Sequence, residues 1–252
     1  MGASGDLAKK KTYPSLLALH ADNFLPKNTV IWGFARSNLS HEDLRARLKP
    51  FLLKKHDEKI VDSFLAICYY QKGTGYGDQE AFASLNTQLL KHEAADDEKF
   101  HKTHTHNRLF YFAIPPNVFA ETGLAIKNNA MAPRGWSRMI VEKPFGRDLE
   151  SCRTLLKTLD EYFTEDQLYR IDHYLGKEIV QNLLIMRFAN RIFENMWSNR
   201  HIESVFLTFK EPFGTQGRGG YFDKYGIIRD IIQNHLIQVM CLVAMEAPIR
   251  VS

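Results

Sequence analysis

Short apolar runs that alternate with longer helical patterns constrain the fold of this chain most strongly. Runs rich in β-branched and aromatic residues recur at positions 29–35, 68–70, 108–114, 135–142 and 168–172. Between these runs, apolar residues recur at every third or fourth position, which is typical of amphipathic helices. Strands that alternate with helices in this way form parallel sheets that are covered on both faces. We therefore expect an α/β fold over this part of the chain.

The helical patterns predict where the connecting helices lie. Two helices are expected within 41–65, and others at 78–91, 117–129, 148–163 and 178–188. The polar stretch 93–107 is expected to be a loop. It contains His101, His104 and His106, but no cysteine or clear carboxylate pattern completes a metal site, so no metal is expected there.

The pattern of the strands changes in the last third of the chain. Positions 203–210 alternate in a way that suits a sheet with one buried face, and 225–245 has the length of a helix. This change predicts a second domain with an antiparallel sheet. The predicted domains are 1–172 and 173–252.

The composition narrows the range of partners. The net charge is +4, and lysine and arginine are spread along the chain, which favours a small anionic ligand over nucleic acid. The chain has 3 cysteines, which lie far apart, as expected for reduced thiols in a cytoplasmic protein. No continuous apolar run approaches the roughly 18 residues of a membrane span, and we recognise no secretory signal, so no membrane partner is expected.

A glycine-containing turn opens the chain. Gly2 and Gly5 precede a helical pattern, and such a turn exposes backbone N–H groups to a phosphate at the helix N-terminus. A phosphate-binding turn of this kind normally follows a buried strand, but only Met1 precedes it here. We therefore expect the first strand of the sheet to be missing.

Two basic residues follow predicted strands. Arg36 comes directly after the run 29–35, where an arginine suits the 2′-phosphate of NADP and an acid suits NAD. Lys143 directly follows the run 135–142 and precedes Pro144, at the edge of a parallel sheet where ligands bind. The alternative for both is an ordinary surface side chain next to a turn.

The stretch 170–178 carries the densest group of reactive side chains. An acid, an imidazole, a phenol and an amine lie within six positions. They belong to Asp172, His173, Tyr174 and Lys177. A predicted strand leads into this stretch and a predicted helix leaves it, so the side chains are expected to converge at a ligand-binding edge. The alternative is that Asp172 caps the helix and the other residues are solvated.

These motifs together resemble the glucose-6-phosphate dehydrogenase family. The stretches that carry the resemblance are GASGDLAKKK, WGFARS, EKPFGRDL, RIDHYLGKE, KEPFG, GRGGYFD and GIIRDIIQNHL, in this order. RIDHYLGKE is highly specific to the family. The resemblance implies oxidation of glucose 6-phosphate at C1 with NADP, in the pentose phosphate pathway. It also implies a Rossmann-like NADP-binding domain, followed by the start of an α+β domain with a mainly antiparallel sheet.

The resemblance also implies the roles of the substrate-binding and catalytic residues. His235 is similar to the family's general base and Asp172 to the carboxylate that orients it, although the sequence pattern alone favours a hydrogen-bonded core histidine. The other residues of this group bind the phosphate, contact the sugar hydroxyls or lie between cofactor and sugar. The phosphate ligands are His173, Tyr174 and Lys177, the carboxylates for sugar hydroxyls are Glu211 and Asp230, and the intervening lysine is Lys143.

The implied cofactor residues come from several predicted elements. The first residues of the chain resemble the family's phosphate-binding turn. These residues are Gly2, Ala3, Ser4, Gly5, Asp6 and Leu7. Arg36 is similar to the residue that contacts the 2′-phosphate, with Lys11 assisting. Ala113 and Lys143 are expected near the nicotinamide and Tyr76 near the adenine.

The chain departs from the family pattern at both ends. The strand before the glycine turn is missing, and family members continue well beyond the equivalent of Ser252 through a large antiparallel sheet that carries the dimer contact. We therefore expect a truncated member of a homo-oligomeric family. The alternative is an inactive remnant that binds a phosphosugar or nucleotide, or that pairs with a full-length subunit.

Overall fold

The computed structural model describes residues 1–100, 105–212, 214–215, 217 and 219–249. The chain divides into two compact units, Met1–Arg170 and Ile171–Ser252. Of the three histidines in the polar stretch 93–107, His101 and His104 lie outside the described residues.

The first unit contains parallel strands, as predicted. These are β1 (Ile31–Ala35), β2 (Cys68–Lys72), β3 (Arg108–Phe112), β4 (Ser137–Val141) and β5 (Leu168–Arg170). β1 pairs with β2 in one sheet, and β3, β4 and β5 form another in that order. Every pair is parallel, with Phe112 opposite Val141 and Val141 opposite Arg170.

The first residues of the chain contact one strand of each sheet. The backbone nitrogen of Met1 donates to the carbonyl oxygen of Tyr111 in β3 over 2.7 Å. The N–H of Ala3 donates to the carbonyl oxygen of Phe34 in β1 over 3.2 Å. These bonds fix the position of the glycine turn that follows.

Helices connect the strands close to the predicted positions. They are α1 (Tyr13–Ala21), α2 (His41–Leu52), α3 (Glu58–Ala66), α4 (Gln79–Phe100), α5 (Phe119–Asn129) and α6 (Leu149–Asp160). A π-helical turn, Ala8–Thr12, precedes α1. Side-chain caps fix several helix starts: Asp78 accepts from the N–H of Ala81, and Asp148 accepts from the N–H of Ser151.

The predicted loop at 93–107 is wrong in its first half, because α4 continues to Phe100. Ion pairs hold this part of the helix against the unit. The buried guanidinium of Arg108 donates to Glu93 over 2.8 Å, and His106 bonds to Asp97 over 2.9 Å. The polarity of this stretch therefore reflects long-range ion pairs rather than a loop.

Two apolar clusters form the core of the first unit. Neighbouring residues of β1 enter different clusters, as expected when successive side chains point to opposite faces of a strand. Phe34 packs with residues from α4, α5 and α6, whereas Ala35 packs with residues from α1, α2 and α3. Helices therefore cover both faces of this strand.

The second unit is mainly helical. Its helices are α7 (Glu178–Phe188), α8 (Arg191–Met196), α9 (Gly219–Ile227) and α10 (Ile237–Ala244), with the π-helical segment Ile228–Leu236 between the last two. The guanidinium of Arg187 donates to the carbonyl oxygen of Leu242 over 2.6 Å, and the indole of Trp197 donates to that of Val243 over 2.9 Å. These bonds join α7 and α8 to α10.

The predicted strand at 203–210 is absent, because these described residues form neither helix nor strand. A strand needs a hydrogen-bonded neighbour, and the described part of this unit contains none. The antiparallel sheet of the second domain therefore stays a prediction. Apolar side chains remain exposed in this unit, including Ile179 (77%), Ile192 (74%) and Phe206 (89%).

One long helical stretch, Tyr225–Ala244, is apolar enough by length and composition to cross a membrane, with a mean hydropathy of 1.3. This is weak evidence, because the core helix of a soluble protein passes the same test. The sequence analysis looks for an unbroken apolar run, and Arg229, Asp230 and His235 interrupt this segment. The mean hydropathy of the segment stays high in spite of these three polar residues.

The burial pattern of β3 predicts how two substitutions affect stability. Phe112 is fully buried, whereas Leu109 on the same strand is 56% exposed. We expect Phe112→Ala to lower the free energy of unfolding by about 3–5 kcal/mol, because it leaves a cavity. The matched control Leu109→Ala should change it by less than about 0.5 kcal/mol. Urea unfolding of both variants measures the difference, and equal effects would contradict the assigned strand faces.

Candidate active site

The glycine turn packs closely against the end of β3. Gly2 has a φ of 74°, and a Cβ at this position would lie 2.1 Å from the carbonyl oxygen of Ala113. The N–H of Gly5 donates to the carbonyl oxygen of Gly2 over 3.0 Å and closes the turn. Both the left-handed conformation and the close approach require glycine at position 2.

The turn also lies beside the carboxyl end of β1. The hydroxyl of Ser37 donates to that of Ser4 over 2.9 Å. Arg36 is exposed, and its guanidinium carbon lies 5.9 Å from the ring centre of Tyr76. Burial raises the pKa of the Tyr76 phenol. The structure therefore brings the turn, Arg36, Tyr76 and Ala113 to one region of the first unit.

The remaining residues of the turn lead into the first helical turns. The carboxylate of Asp6 lies 3.0 Å from the ammonium of Lys9 and 3.6 Å from that of Lys10. The hydrogen bond from Lys9, aided by the charge of Lys10, lowers the pKa of Asp6. Leu7 and Lys11 are exposed on the same segment.

Lys143 follows β4 at the same edge of the sheet as Ala113. Because Phe112 lies opposite Val141, the residues that follow both strands leave the sheet side by side. The peptide bond between Lys143 and Pro144 is cis. Lys143 is partly buried, and the neighbouring carboxylate of Glu142 accepts a hydrogen bond from the hydroxyl of Tyr111.

In the second unit, a tight turn presents the side chains of the RIDHYLGKE stretch. A carboxylate oxygen of Asp172 accepts from the N–H of Tyr174 over 2.9 Å. The N–H of Lys177 donates to the carbonyl oxygen of Tyr174 over 3.1 Å, directly before α7 begins. The side chain of Asp172 therefore stabilises the turn that contains it.

Tyr174 lies at the centre of this group. Its ring stacks on the imidazole of His235 with 4.0 Å between centres, and the ammonium of Lys177 lies 3.9 Å from the same ring centre. Tyr174 therefore contacts both Lys177 and His235 through its ring. The ring of His173 also meets that of His235, edge to face, at 4.8 Å.

The hydroxyl of Tyr174 is buried and has no hydrogen-bond partner among the residues that the structure describes. Only 8% of the residue is exposed. Burial raises the pKa of this phenol, and the negative charge of exposed Glu211 raises it further. A buried, unsatisfied hydroxyl is costly, so it marks a place where a polar ligand atom would be stabilised.

Asp172 and His235 form a loose pair. A carboxylate oxygen of Asp172 lies 3.9 Å from Nδ1 of His235, whose side chain is only 3% exposed. A nearby carboxylate favours the protonated form of an imidazole. This pair can therefore take up a proton at the ring and stabilise the resulting charge.

His235 and Asp230 project from the π-helical segment, and both are buried. This segment follows a kink at Gly226, whose φ is 76°. A continuous helix was the expectation for this stretch, so the π-helix is the local feature that the sequence pattern missed. Its hydrogen bonds span five residues, which is also the sequence spacing of Asp230 and His235.

Comparisons with known proteins identify the family. A family described as "Glucose-6-phosphate dehydrogenase, NAD binding domain" matches residues 1–182. The chain belongs to the glucose-6-phosphate dehydrogenase family. A second family description, the C-terminal domain of glucose-6-phosphate dehydrogenase, matches residues 184–252.

Individual relatives agree with this assignment. The glucose-6-phosphate 1-dehydrogenase of Dictyostelium discoideum is 50% identical over the whole chain, which covers 49% of that relative. The cytoplasmic isoform of Solanum tuberosum is 51% identical over 99% of the chain, which again covers 49% of the relative. The chain therefore spans about half the length of these curated relatives.

A solved structure shares the fold. A glucose-6-phosphate dehydrogenase in complex with its substrate glucose-6-phosphate is 48% identical, with a TM-score of 0.90. The match covers 99% of this chain and 51% of that structure. Relatives carry both cytoplasmic and chloroplastic names, the latter including a protein of Spinacia oleracea that is 47% identical over the whole chain, which covers 43% of that relative.

Proposed function

We propose that this chain oxidises D-glucose 6-phosphate at C1 to 6-phospho-D-glucono-1,5-lactone with NADP, as an enzyme of the oxidative pentose phosphate pathway. The observation that carries the proposal is the group formed by Asp172, Tyr174 and His235. It combines a buried imidazole, a carboxylate 3.9 Å from it and a buried hydroxyl without a partner among the described residues. These groups suit proton removal beside a bound anion.

His235 is the general base in this proposal. An imidazole normally titrates near neutral pH, so it can accept the proton of the C1 hydroxyl. Asp172 orients the ring and stabilises its charged form, as the acid of a catalytic triad does. The stacked ring of Tyr174 restricts the orientation of the imidazole.

His173, Tyr174 and Lys177 bind the phosphate of the substrate. The unsatisfied hydroxyl of Tyr174 would donate to a phosphate oxygen, and the ammonium of Lys177 supplies charge against the same ring. Exposed His173 adds a further donor when it is protonated. A hydrogen bond to the charged phosphate would thus offset the cost of burying the Tyr174 hydroxyl.

Three further residues complete the proposed substrate site. Glu211 and Asp230 accept hydrogen bonds from sugar hydroxyls, and Lys143 donates between cofactor and sugar. Glu211 is close enough to Tyr174 for its charge to raise the pKa of that phenol. Asp230 is buried on the same π-helical segment as the base.

The residues of the first unit fit a dinucleotide. Gly2, whose position admits no Cβ, lets the turn pass close to the end of β3. The N–H groups of Ala3 and Gly5 already donate within the fold. Those of Ser4, Asp6 and Leu7 would bind a phosphate. Arg36, assisted by Lys11, would bind the 2′-phosphate, Tyr76 would flank the adenine, and Ala113 with Lys143 would border the nicotinamide. When bound, NADP accepts the hydride from C1.

The proposal assigns the two functions to different parts of the chain. Residues 1–172 form the NADP-binding domain, and residues 173–252 belong to an α+β domain for substrate binding and dimerisation. We place the protein in the cytoplasm, in a homo-oligomer, with glucose 6-phosphate as its partner and without nucleic acid or membrane. The 51% identical cytoplasmic isoform supports the compartment.

A second candidate is a catalytically inactive remnant that binds a phosphosugar or nucleotide, or that pairs with a full-length subunit. One observation favours it: the second unit exposes large apolar side chains such as Ile179 and Phe206. Both candidates use the same binding residues, so turnover separates them.

Replacing the proposed base tests which candidate holds. We expect His235→Asn to lower the rate of NADP reduction with glucose 6-phosphate by on the order of 100-fold or more, because the C1 proton loses its acceptor. The change in absorbance of the nicotinamide measures the rate. The matched control is His201→Asn, since His201 is exposed in the same unit and bonds to Ser198. Absence of reduction by the folded, unsubstituted chain would favour the remnant, and full activity of His235→Asn would exclude this residue as the base.

Replacing Arg36 tests the cofactor. We expect Arg36→Ala to weaken NADP binding on the order of ten- to a hundred-fold while leaving NAD binding nearly unchanged, because only NADP carries the phosphate that the guanidinium would bind. Calorimetric titration with each dinucleotide measures this and needs no turnover. Exposed Arg153 on α6 provides the control, Arg153→Ala. An equal loss for NAD and NADP would contradict the role of Arg36.

A further inference from the structure

Three side chains of the second unit are arranged so that they can share one cation. Asp172, His173 and His235 each offer one ligand atom, and these atoms all lie within 4.8 Å of one another. Zinc in proteins binds nitrogen and oxygen at about 2.0–2.2 Å in a tetrahedron. Its ligand atoms are therefore closer together than they are here. The gap has to be closed by side-chain movement of about an ångström.

The three side chains are already in contact with their surroundings. His173 is exposed, which leaves a path by which an ion enters, and its ring meets that of His235 edge to face at 4.8 Å. His235 is held by stacking on Tyr174, and Asp172 is held by the N–H of Tyr174 over 2.9 Å. A ligand set whose members are held close together by other contacts needs little reorganisation to bind.

The kind of ion follows from the donor set. Two imidazoles and one carboxylate suit divalent zinc, cobalt or copper, whereas magnesium and calcium prefer oxygen alone. Three protein ligands also leave one tetrahedral position for water. The ammonium of Lys177 would repel a cation, and the carboxylate of Asp172 supplies the opposite charge within the ligand set.

We propose that Asp172, His173 and His235 form a binding site for a divalent transition-metal ion of the zinc type. An ion there occupies a nitrogen lone pair of His235 and the carboxylate that orients it. Metal binding and use of His235 as a base are therefore mutually exclusive. This inhibitory consequence rests on the proposed function, whereas the binding itself does not.

Titration of the metal-stripped 252-residue chain with Zn²⁺, without sugar or dinucleotide, tests the site directly. We expect one ion per chain, and a loss of affinity of about tenfold or more in His173→Ala, a substitution at an exposed position that the fold tolerates. Circular dichroism of the variant verifies its fold. His201→Ala and Cys241→Ser are the controls, since both residues lie in the same unit outside the site and Cys241 is an exposed thiol. Unchanged affinity of His173→Ala would overturn the proposal.

Cobalt provides an independent readout of the ligands. Co²⁺ bound by imidazole and carboxylate gives visible d–d absorption, which we expect to decrease in His173→Ala and to remain in Cys241→Ser. A strong thiolate-to-cobalt charge-transfer band would instead place the ion on a cysteine and overturn the site. These titrations involve no turnover, so a chain that binds the ion but fails to reduce NADP would refute the proposed function alone. An active chain that binds no ion would refute the metal site alone.

Discussion

The contact between the rings of Tyr174 and His235 holds the candidate site together. It joins the turn 171–177 to the π-helical segment, two parts of the second unit that are far apart in sequence. The same tyrosine has a buried hydroxyl, and the ammonium of Lys177 lies 3.9 Å from its ring centre. Every property that we assign to the imidazole, including its pairing with Asp172, depends on this packing.

The first unit depends on a different constraint, the close approach of the glycine turn to the ends of β1 and β3. Gly2 touches the carbonyl oxygen of Ala113, and Ser4 receives a hydrogen bond from Ser37. Residues that follow separate strands are brought to one edge because parallel strands all end on the same side. The glycine turn, Ala113 and Ser37, which follows Arg36, are therefore neighbours for a reason of topology.

Much of the first unit could be predicted from local pattern, because burial on both faces makes a parallel strand a continuous apolar run. The strands β1 and β3 are examples. Longer-range effects could not be predicted in this way. Polar residues at the end of α4 are helical because ion pairs such as Arg108 with Glu93 hold them. The alternation at 203–210 does not yield a strand where no described neighbour pairs with it.

The candidate site also contains residues that local sequence indicates and one residue that it does not. The sequence indicates four site residues because their polar, ionisable side chains lie within six positions. They are Asp172, His173, Tyr174 and Lys177. No local pattern indicated His235 as their partner, since it lies in an apolar helix where a core histidine is the ordinary expectation. Only the family resemblance indicates His235, and only the structure shows that it lies on a π-helical segment.

The central claim is that the group around His235 recognises glucose 6-phosphate, and the nitrogen resonances of the His235 ring report on it most directly. We expect these resonances, assigned by comparison with His235→Asn, to shift in a saturable way as glucose 6-phosphate is added, and to shift far less with glucose. The phosphate brings charge to Tyr174 and Lys177, on the ring against which His235 stacks. If the His235 resonances do not move at saturating glucose 6-phosphate, the account of this site is wrong.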